Sequence, residues 1–463
     1  MNKIFFLFSL WITKLLSFMI SVFHLGQASN FPGKIALFIK KDLIQDFKLN
    51  EKSKIILITG TNGKSTTTGI LANILKASGK KVIYNKSGAN LLSGIITALC
   101  SGSNIFGHLK YDYIILEVDE ATLPLLTSQI KPDLIAVTNF FRDQLDRFGE
   151  LDTTVNLIKK GISNNKNTTL VLNADDVRAA FIDSENKKIF YGFSTNAAKG
   201  AFNNESNGNN LWQENPEEIT TCPKCGSSLI FSNKFLAHLG DYKCSGCGLK
   251  RPEVNFLVSL FKTDSLSTYF DITFDGHKNN FFISLIGVFN LYNALCAITI
   301  AKTVSNTTNV QVQKGLQSYS TIFGRGEKID LKNRPAWIYL IKNPTGTTEV
   351  LKTLTQIPNA RFLIAINDDF ADGRDVSWLW DAQFDILSSH KKEIYISGKR
   401  ALDMALRLKY ADINSSQIKV NENITSTITN ASKSISQDET LFILPTYTAL
   451  LEMQRKGLCK SII

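Results

Sequence analysis

KIILITGTNGKSTTT, residues 54–68, decides how the rest of the chain is read. Ile55, Ile56, Leu57 and Ile58 form an unbroken apolar run, the mark of a parallel strand buried on both faces. The run empties into the turn Gly60-Thr61-Asn62-Gly63, and a helix is predicted to begin at Lys64-Ser65. Small residues at such a strand–helix turn let backbone N–H groups approach an anion at the helix N-terminus. In that setting Lys64 reaches nucleotide β/γ-phosphates and Ser65 holds Mg²⁺, with Gly60, Thr61, Asn62, Gly63 and Thr66 completing the cradle. The general pattern's first glycine is missing, because Ile58 stands in its place.

At 463 residues the chain is long enough for about three domains with cores of their own. Hydrophobic residues at 44% and charged residues at 20% describe a globular chain and exclude a disordered one. A net charge of +11 suits phosphorylated or anionic-lipid partners. The lysines are scattered, without the basic stripe and interleaved aromatics of a nucleic-acid reader, so no nucleic-acid partner is expected. Four of the seven cysteines fall in two CxxC pairs, which suits a reducing compartment and a metal rather than a disulfide framework.

Residues 4–24, IFFLFSLWITKLLSFMISVFH, form an apolar helix approaching the length of a membrane span, with Lys14 at its centre. An uncleaved anchor, an interfacial helix and a helix packed on the protein are the three readings. Beyond the 54–68 stretch, short apolar runs at 81–84, 113–117, 134–139 and 171–173 alternate with helical stretches, which argues for a doubly wound parallel sheet. The run at 113–117 ends in Glu117, and EVDE adds Asp119 and Glu120. A carboxylate at a strand tip beside a phosphate loop is where a Mg²⁺ ligand is needed. Residues 196–219, rich in Asn, Gly and Ser, lead into an insertion at about 218–252. There Cys222, Cys225, Cys244 and Cys247 have the spacing of a zinc ribbon, whose four thiolates leave no open position for catalysis. It is expected to staple a lobe poor in apolar residues. Cys100, Cys296 and Cys459 read as structural.

TGTNGKSTTT resembles the ATP loop of the Mur ligase family, and the resemblance continues along the chain. Asn30-Phe31-Pro32-Gly33-Lys34 is similar to a stretch that follows the first helix in the MurT branch. NFFRDQLDRFGELD resembles the family's N-x-x-x-D-H-L-D-x-x-G run, with Gln144 replacing its histidine, which removes an imidazole ligand for a second metal. Lys159 and Lys160 lie near the family's modified lysine, and LNADD (Leu172 to Asp176) matches a family turn. The resemblance implies that Glu117 is the metal-binding glutamate and that Asn290 and Asn293, in G-x-x-N-x-x-N-A, lie by the adenine. Helical spacing alone makes them neighbours on one face, with capping as the plain alternative. Arg325, in FGRGE, would reach the phosphates when the domains close. The ribbon, KNPTG (Lys342 to Gly346), NDDFADGRDVSW (Asn367 to Trp378) and LPTYTALLEM resemble the MurT branch rather than the amino-acid-adding ligases.

The expected architecture is therefore α/β. Residues 1–50 form an apolar helix and lead-in, 51–329 a Mur ligase-like ATP-binding domain with an inserted four-cysteine zinc ribbon, and 330–463 a MurT-type α/β domain. The resemblance implies ATP-dependent amidation, through an acyl phosphate, of the α-carboxyl of D-glutamate in the lipid II stem peptide. Ammonia would come from a GatD-like class I glutamine amidotransferase subunit. Asp375 would be supplied to that subunit's histidine, while Asp372 reads as a turn former and Asp368 and Asp369 as turn or cap residues. A stand-alone amino-acid ligase and a non-catalytic ATP-binding scaffold are the alternatives. The expected location is cytoplasmic, with membrane contact through residues 4–24.

Overall fold

A computed structural model describes residues 2–22, 30–85, 89–141, 151–197, 221–264, 267–319, 325–331 and 334–459. The chain divides into two compact units, residues 1–141 with 148–319 and 463, and residues 142–147 with 320–462.

The first unit contains β1 (Lys54–Thr59), β2 (Val82–Tyr84), β3 (Tyr113–Glu117), β4 (Leu134–Val137), β5 (Thr169–Asn173) and β6 (Lys188–Phe193). It continues with β7 (Leu229–Leu236), β8 (Leu239–Cys244), β9 (Phe256–Asp264), β10 (Ser267–Phe274) and β11 (His277–Ile283). Among the described residues these form a nine-stranded sheet of order β11-β10-β9-β6-β5-β4-β1-β3-β2, with β7 and β8 as a separate antiparallel hairpin. Neighbours from β2 to β9 are parallel, and β10 and β11 add an antiparallel edge absent from the sequence reading.

The apolar run of β1 is explained by burial on both faces. Ile56 and Ile58 pack with α3 (Lys64–Ala77), α7 (Val288–Val304) and α8 (Asn309–Ser318), through Ile74, Leu295 and Leu316. The intervening Ile55 and Leu57 meet α1 (Asn2–Val22), α4 (Leu92–Gly102), α5 (Leu123–Thr127) and α6 (Leu151–Ser163), through Leu10, Ile96, Leu126 and Ile158. Helix α7 is apolar nearly all round and buried nearly all round, as a central helix must be. The helix and lead-in of residues 1–50 pack on the first unit. Helix α1 packs on α2 (Phe31–Ile39) and α4, and Phe6, Leu10, Ala36 and Leu43 share the core of β1.

In the second unit the described residues begin at Arg325. Its strands are β12 (Arg325–Asp330), β13 (Pro335–Tyr339), β14 (Ala360–Ala365), β15 (Ile394–Ser397), β16 (Ile418–Val420) and β17 (Thr440–Pro445). They lie in the order β12-β13-β17-β14-β15-β16, parallel except for β12. Helices α9 (Pro344–Leu354), α10 (Trp378–Asp381), α11 (Ala401–Tyr410), α12 (Ile424–Ser434) and α13 (Tyr447–Arg455) connect them. Asn343 caps α9 by accepting from the Gly346 amide at 2.8 Å, with Pro344 in the first turn. Both units are α/β, as the sequence pattern indicated.

Candidate functional site

At the C-terminal end of β1 the chain turns on two glycines with positive φ, Gly60 (+114°) and Gly63 (+85°). A Cβ at Gly63 would overlap the Asn293 amide, so glycine is needed for space as well as conformation. Helix α3 starts at Lys64 with no side-chain cap and no acid in its first turn. Its first amides have no partner within the helix, and its positive end favours an anion.

The neighbouring strand braces the turn. The Thr61 amide donates to the Asn139 carbonyl at 2.9 Å, and the Asn62 amide donates to Asn139 Oδ1 at 2.9 Å. Thr138 Oγ1 donates to the Asn62 carbonyl at 2.7 Å. The Thr61 and Asn62 amides, read from sequence as part of the cradle, are thus engaged by the tip of β4. These two residues set the loop's shape, and the amides facing an anion are those opening α3.

Lys64 Nζ donates to Glu120 Oε1 at 2.6 Å and to the carbonyls of Gly60 and Thr61. Burial pulls its pKa down, but Glu120, then Asp119 and Glu117, more than offset this and hold it above the ordinary lysine value. The cationic form is therefore fixed. Glu117 is buried at the tip of β3, with its backbone clamped by Asn85. The Glu117 amide donates to Asn85 Oδ1 at 2.8 Å, and Asn85 Nδ2 donates to the Glu117 carbonyl at 2.8 Å. Its carboxylate makes no hydrogen bond among the described residues.

Ser65 Oγ, in the first turn of α3, is buried without a hydrogen-bond partner. An orphaned hydroxyl and a buried carboxylate beside a lysine held by a second acid are donors a hard divalent cation takes. The residues fit Mg²⁺, which Ser65 and Glu117 would hold with Glu120 adjoining. Thr66 is buried in the same turn.

The two asparagines of α7 part company. Asn293 lies against Gly63, on the phosphate turn. Asn290 Nδ2 donates to the Ile286 carbonyl at 2.8 Å, a local bond at the start of α7. Arg325 opens β12, in the second unit. Lys159 is half-buried and Lys160 exposed on α6. Gln144, Phe323, Gly324 and most of 196–219 lie outside the described residues.

Sequence reasoning did not foresee the bracing roles of Thr138, Asn139 and Asn85 or the Lys64–Glu120 pair. Thr138-Asn139 at a strand end and the cluster of acids in EVDE were the available signals.

The four ribbon sulfurs lie within 4.8 Å of one another, with Cys222–Cys247 at 3.7 Å and Cys225–Cys244 at 3.4 Å. A tetrahedron with Zn–S bonds of about 2.3 Å has edges of about 3.8 Å, so the cluster could hold such an ion. The Cys247 and Gly246 amides donate to Cys244 Sγ and hold that thiol below its usual range. The lobe's apolar side chains pack on the main domain. The tip of the β7–β8 hairpin sends Phe235, Leu236 and Leu239 into the main core. Tyr242 Oη donates to the Ala174 carbonyl at 3.1 Å, and the Gly240 amide to the Asp175 carbonyl at 2.9 Å. Asp175, in the LNADD turn, is buried against Arg251 and accepts from Tyr292 Oη at 2.6 Å; burial pushes its carboxyl up to about 6. The turn is a strut for the insertion. Burial pushes the Cys100, Cys296 and Cys459 thiols up to about 12, which removes them as nucleophiles.

In the second unit the four acids after β14 separate cleanly. Asp368 pairs with Arg400 at 3.1 Å and Asp369 with Lys399 at 2.5 Å. Asp372 is buried and accepts from the Thr448 amide at 2.8 Å and from its hydroxyl. Asp375 is exposed, and its Oδ1 accepts from the Ser377 amide at 2.8 Å, a turn bond that lowers its pKa. No cation pairs with it among the described residues.

Residues 58–227 match the Mur ligase middle domain and residues 340–450 the MurT ligase C-terminal domain. The chain is 33% identical over 445 residues to the lipid II isoglutaminyl synthase (glutamine-hydrolysing) subunit MurT of Streptococcus pneumoniae, covering 95% of this chain and 94% of that one. It is 33% identical over 391 residues to the subunit of the same name from Staphylococcus aureus, covering 84% of each. In fold it is similar to a pseudomurein peptide ligase type C from Methanothermus fervidus, with TM-score 0.63, 23% identity and coverage of 89% of this chain and 81% of that one. It is also similar to the Thermotoga maritima MurF ligase in complex with ADP, with TM-score 0.62, 14% identity and coverage of 91% and 84%.

Proposed function

The chain belongs to the MurT branch of the Mur ligase family, and from that premise we propose that it is the ATP-using subunit of a glutamine-dependent amidating ligase of peptidoglycan synthesis. The substrate is the α-carboxyl of D-glutamate in the lipid II stem peptide, and the product is D-isoglutamine. The observation that carries this reading is the conjunction, in one chain, of a phosphate cradle holding Lys64, Ser65 and Glu117 with a C-terminal domain of the MurT type.

A carboxylate resists attack by ammonia because oxide would have to leave. Transfer of the γ-phosphoryl group of ATP to a carboxylate oxygen gives an acyl phosphate and ADP. Ammonia then adds to the carbonyl carbon, phosphate departs with the C–O bond's electrons, and the nitrogen loses a proton. Phosphoryl transfer asks the protein for position and charge. The α3 amides and Lys64 bind the phosphates, and the Asn139 brace keeps the turn from moving as charge shifts. Ser65 and Glu117 would hold Mg²⁺, which supplies further positive charge against the nucleotide phosphates. The cysteine cluster carries a structural zinc ion.

Ammonia comes from a GatD-like class I glutaminase subunit. Three features of the second unit support docking of such a partner: exposed Phe370 beside Asp375, exposed Trp380, and the exposed Leu402-Leu406-Tyr410 stripe of α11. The test is to incubate the chain and its candidate glutaminase with lipid II, ATP and glutamine, and weigh the product. Replacement of hydroxyl by amino is the expected mass change; gain of an amino-acid residue, or ATP binding with no product, overturns the proposal.

A further inference from the structure

Helix α1 is built inside out. Its buried face carries Phe6, Ser9, Leu10 and Thr13, half of them polar. Thr13 Oγ1 donates to the Ser9 carbonyl at 2.7 Å, and Lys14 Nζ donates to the Ser103 carbonyl at 2.5 Å. The opposite face presents Ile4, Phe8, Trp11, Leu15, Phe18 and Val22, all exposed, at alternating spacings of four and three. A helix shaped by water has the reverse arrangement.

The exposed apolar surface continues beyond α1. Trp11 Nε1 donates to the Ile105 carbonyl at 2.9 Å, which sets exposed Ile105 and Phe106 beside the stripe. Helix α2 packs on α1 and exposes Phe31, Lys34 and Phe38 on one face, with Phe38 90% exposed. Of the five lysines in residues 1–41, Lys3, Lys34 and Lys41 are exposed, while Lys14 is bonded inward to Ser103 and Lys40 is buried in ion pairs with Asp42 and Asp46.

We infer that α1, with Ile105-Phe106 beside it, is an in-plane docking face for an anionic lipid bilayer. A spanning helix would be surrounded by hydrocarbon, which the packing of α1 on α2 and α4 and the Lys14–Ser103 bond oppose. An interfacial helix needs an apolar face for the acyl boundary and cations for the headgroups, and both are present here. Trp11, an indole beside charged headgroups, is placed where such side chains concentrate. The inference stands on the helix and its charge. It deepens the proposed function in one respect, since a lipid-linked substrate would be met at the membrane surface.

The experiment is flotation of the full-length chain with substrate-free vesicles of phosphatidylcholine, with and without phosphatidylglycerol, so that its failure says nothing about amidation. The wild-type chain should float with the anionic vesicles and more weakly with the neutral ones. Phe8→Glu/Phe18→Glu should reduce partition by about tenfold or more at unchanged metal content. If that variant fails to fold, Trp11 decides: brominated lipids should quench wild-type fluorescence, and the increment should vanish in Trp11→Phe. A wild-type chain that stays at the bottom of the gradient overturns the inference, as does quenching independent of Trp11. A concentration-dependent dimer that the double variant abolishes, without any flotation, would instead make this face a contact between two copies.

Discussion

Lys64 is held by an acid fifty-six residues away, and this fixes what its removal should do. Lys64→Ala takes a cation from the phosphates and also strands Glu120 in a buried site. ATP-dependent turnover should fall by about 10²–10³-fold or more, the cost of losing one preorganised charge. The melting temperature should fall as well, because breaking a buried pair leaves the remaining charge uncompensated. Adding Glu120→Gln should restore the melting temperature without restoring turnover; restored turnover would remove Lys64 from the chemistry. In the second unit Glu439 makes a contrasting case. Burial alone would raise its pKa, but the Ser436 amide, Arg361 at 3.0 Å and Lys392 at 3.3 Å bring it down to about 2. A depressed folded-state value gives stability that is present above the unfolded value near 4.5 and lost as pH falls toward 2. Glu439→Gln should therefore flatten that part of the acid-denaturation curve, and an unchanged curve between those values would assign the acid sensitivity elsewhere. The phosphate turn was legible because its chemistry lies in consecutive residues. The Lys64–Glu120 pair and the Asn139 brace were not, because they join residues 56 and 77 apart and leave no local period.

The β7–β8 hairpin shows how an element can be anchored twice. Its cysteines lie at the open end and its apolar tip lies in the core, roughly 20 Å apart at strand rise. Metal loss should consequently loosen the knuckles without releasing the tip. We predict one zinc per chain on metal analysis, and complete loss of that ion in Cys222→Ser. Hydrogen exchange should rise at 222–228 and 244–250 and stay slow at 235–239; fast exchange throughout would make the metal the sole anchor. The ribbon itself was plain from four cysteines, whereas its apolar anchor was concealed by a short hairpin whose contacts are all distant in sequence. Helix α1 gives the same lesson in reverse. Its length and apolarity were evident, but which side faces protein follows only from Ser9, Thr13 and Lys14 turning inward. The antiparallel edge β9–β11 follows the insertion, where the alternation that identified the parallel strands had already stopped.

For the whole molecule the question is what this chain lends to a separate glutaminase. Such an enzyme needs a cysteine nucleophile, a histidine base and an acid that orients the imidazole and stabilises its charged form. Burial holds the Cys100, Cys296 and Cys459 thiols in the neutral form, which suits the proposal that a partner subunit hydrolyses glutamine. Four acids after β14 could be the lent carboxylate, and their surroundings separate them. Asp368 and Asp369 are neutralised by Arg400 and Lys399, and Asp372 is buried on Thr448. Asp375 alone of the four is exposed and, among the described residues, paired with no cation, and the Ser377 amide holds its pKa low. It is ionised at neutral pH and open to a partner's imidazolium. Asp375→Asn keeps an oxygen for the Ser377 amide, so the turn should survive and the two subunits should still co-purify. Glutamine-dependent amidation should fall by about 10²–10⁴-fold, the range seen when an orienting acid is lost. With ammonium supplied in its place, amidation should remain within a few-fold of wild type, because the phosphate cradle is untouched. Equal loss with both nitrogen sources would make Asp375 part of the ligase chemistry, and undiminished glutamine-driven turnover would pass the role to an acid of the glutaminase itself.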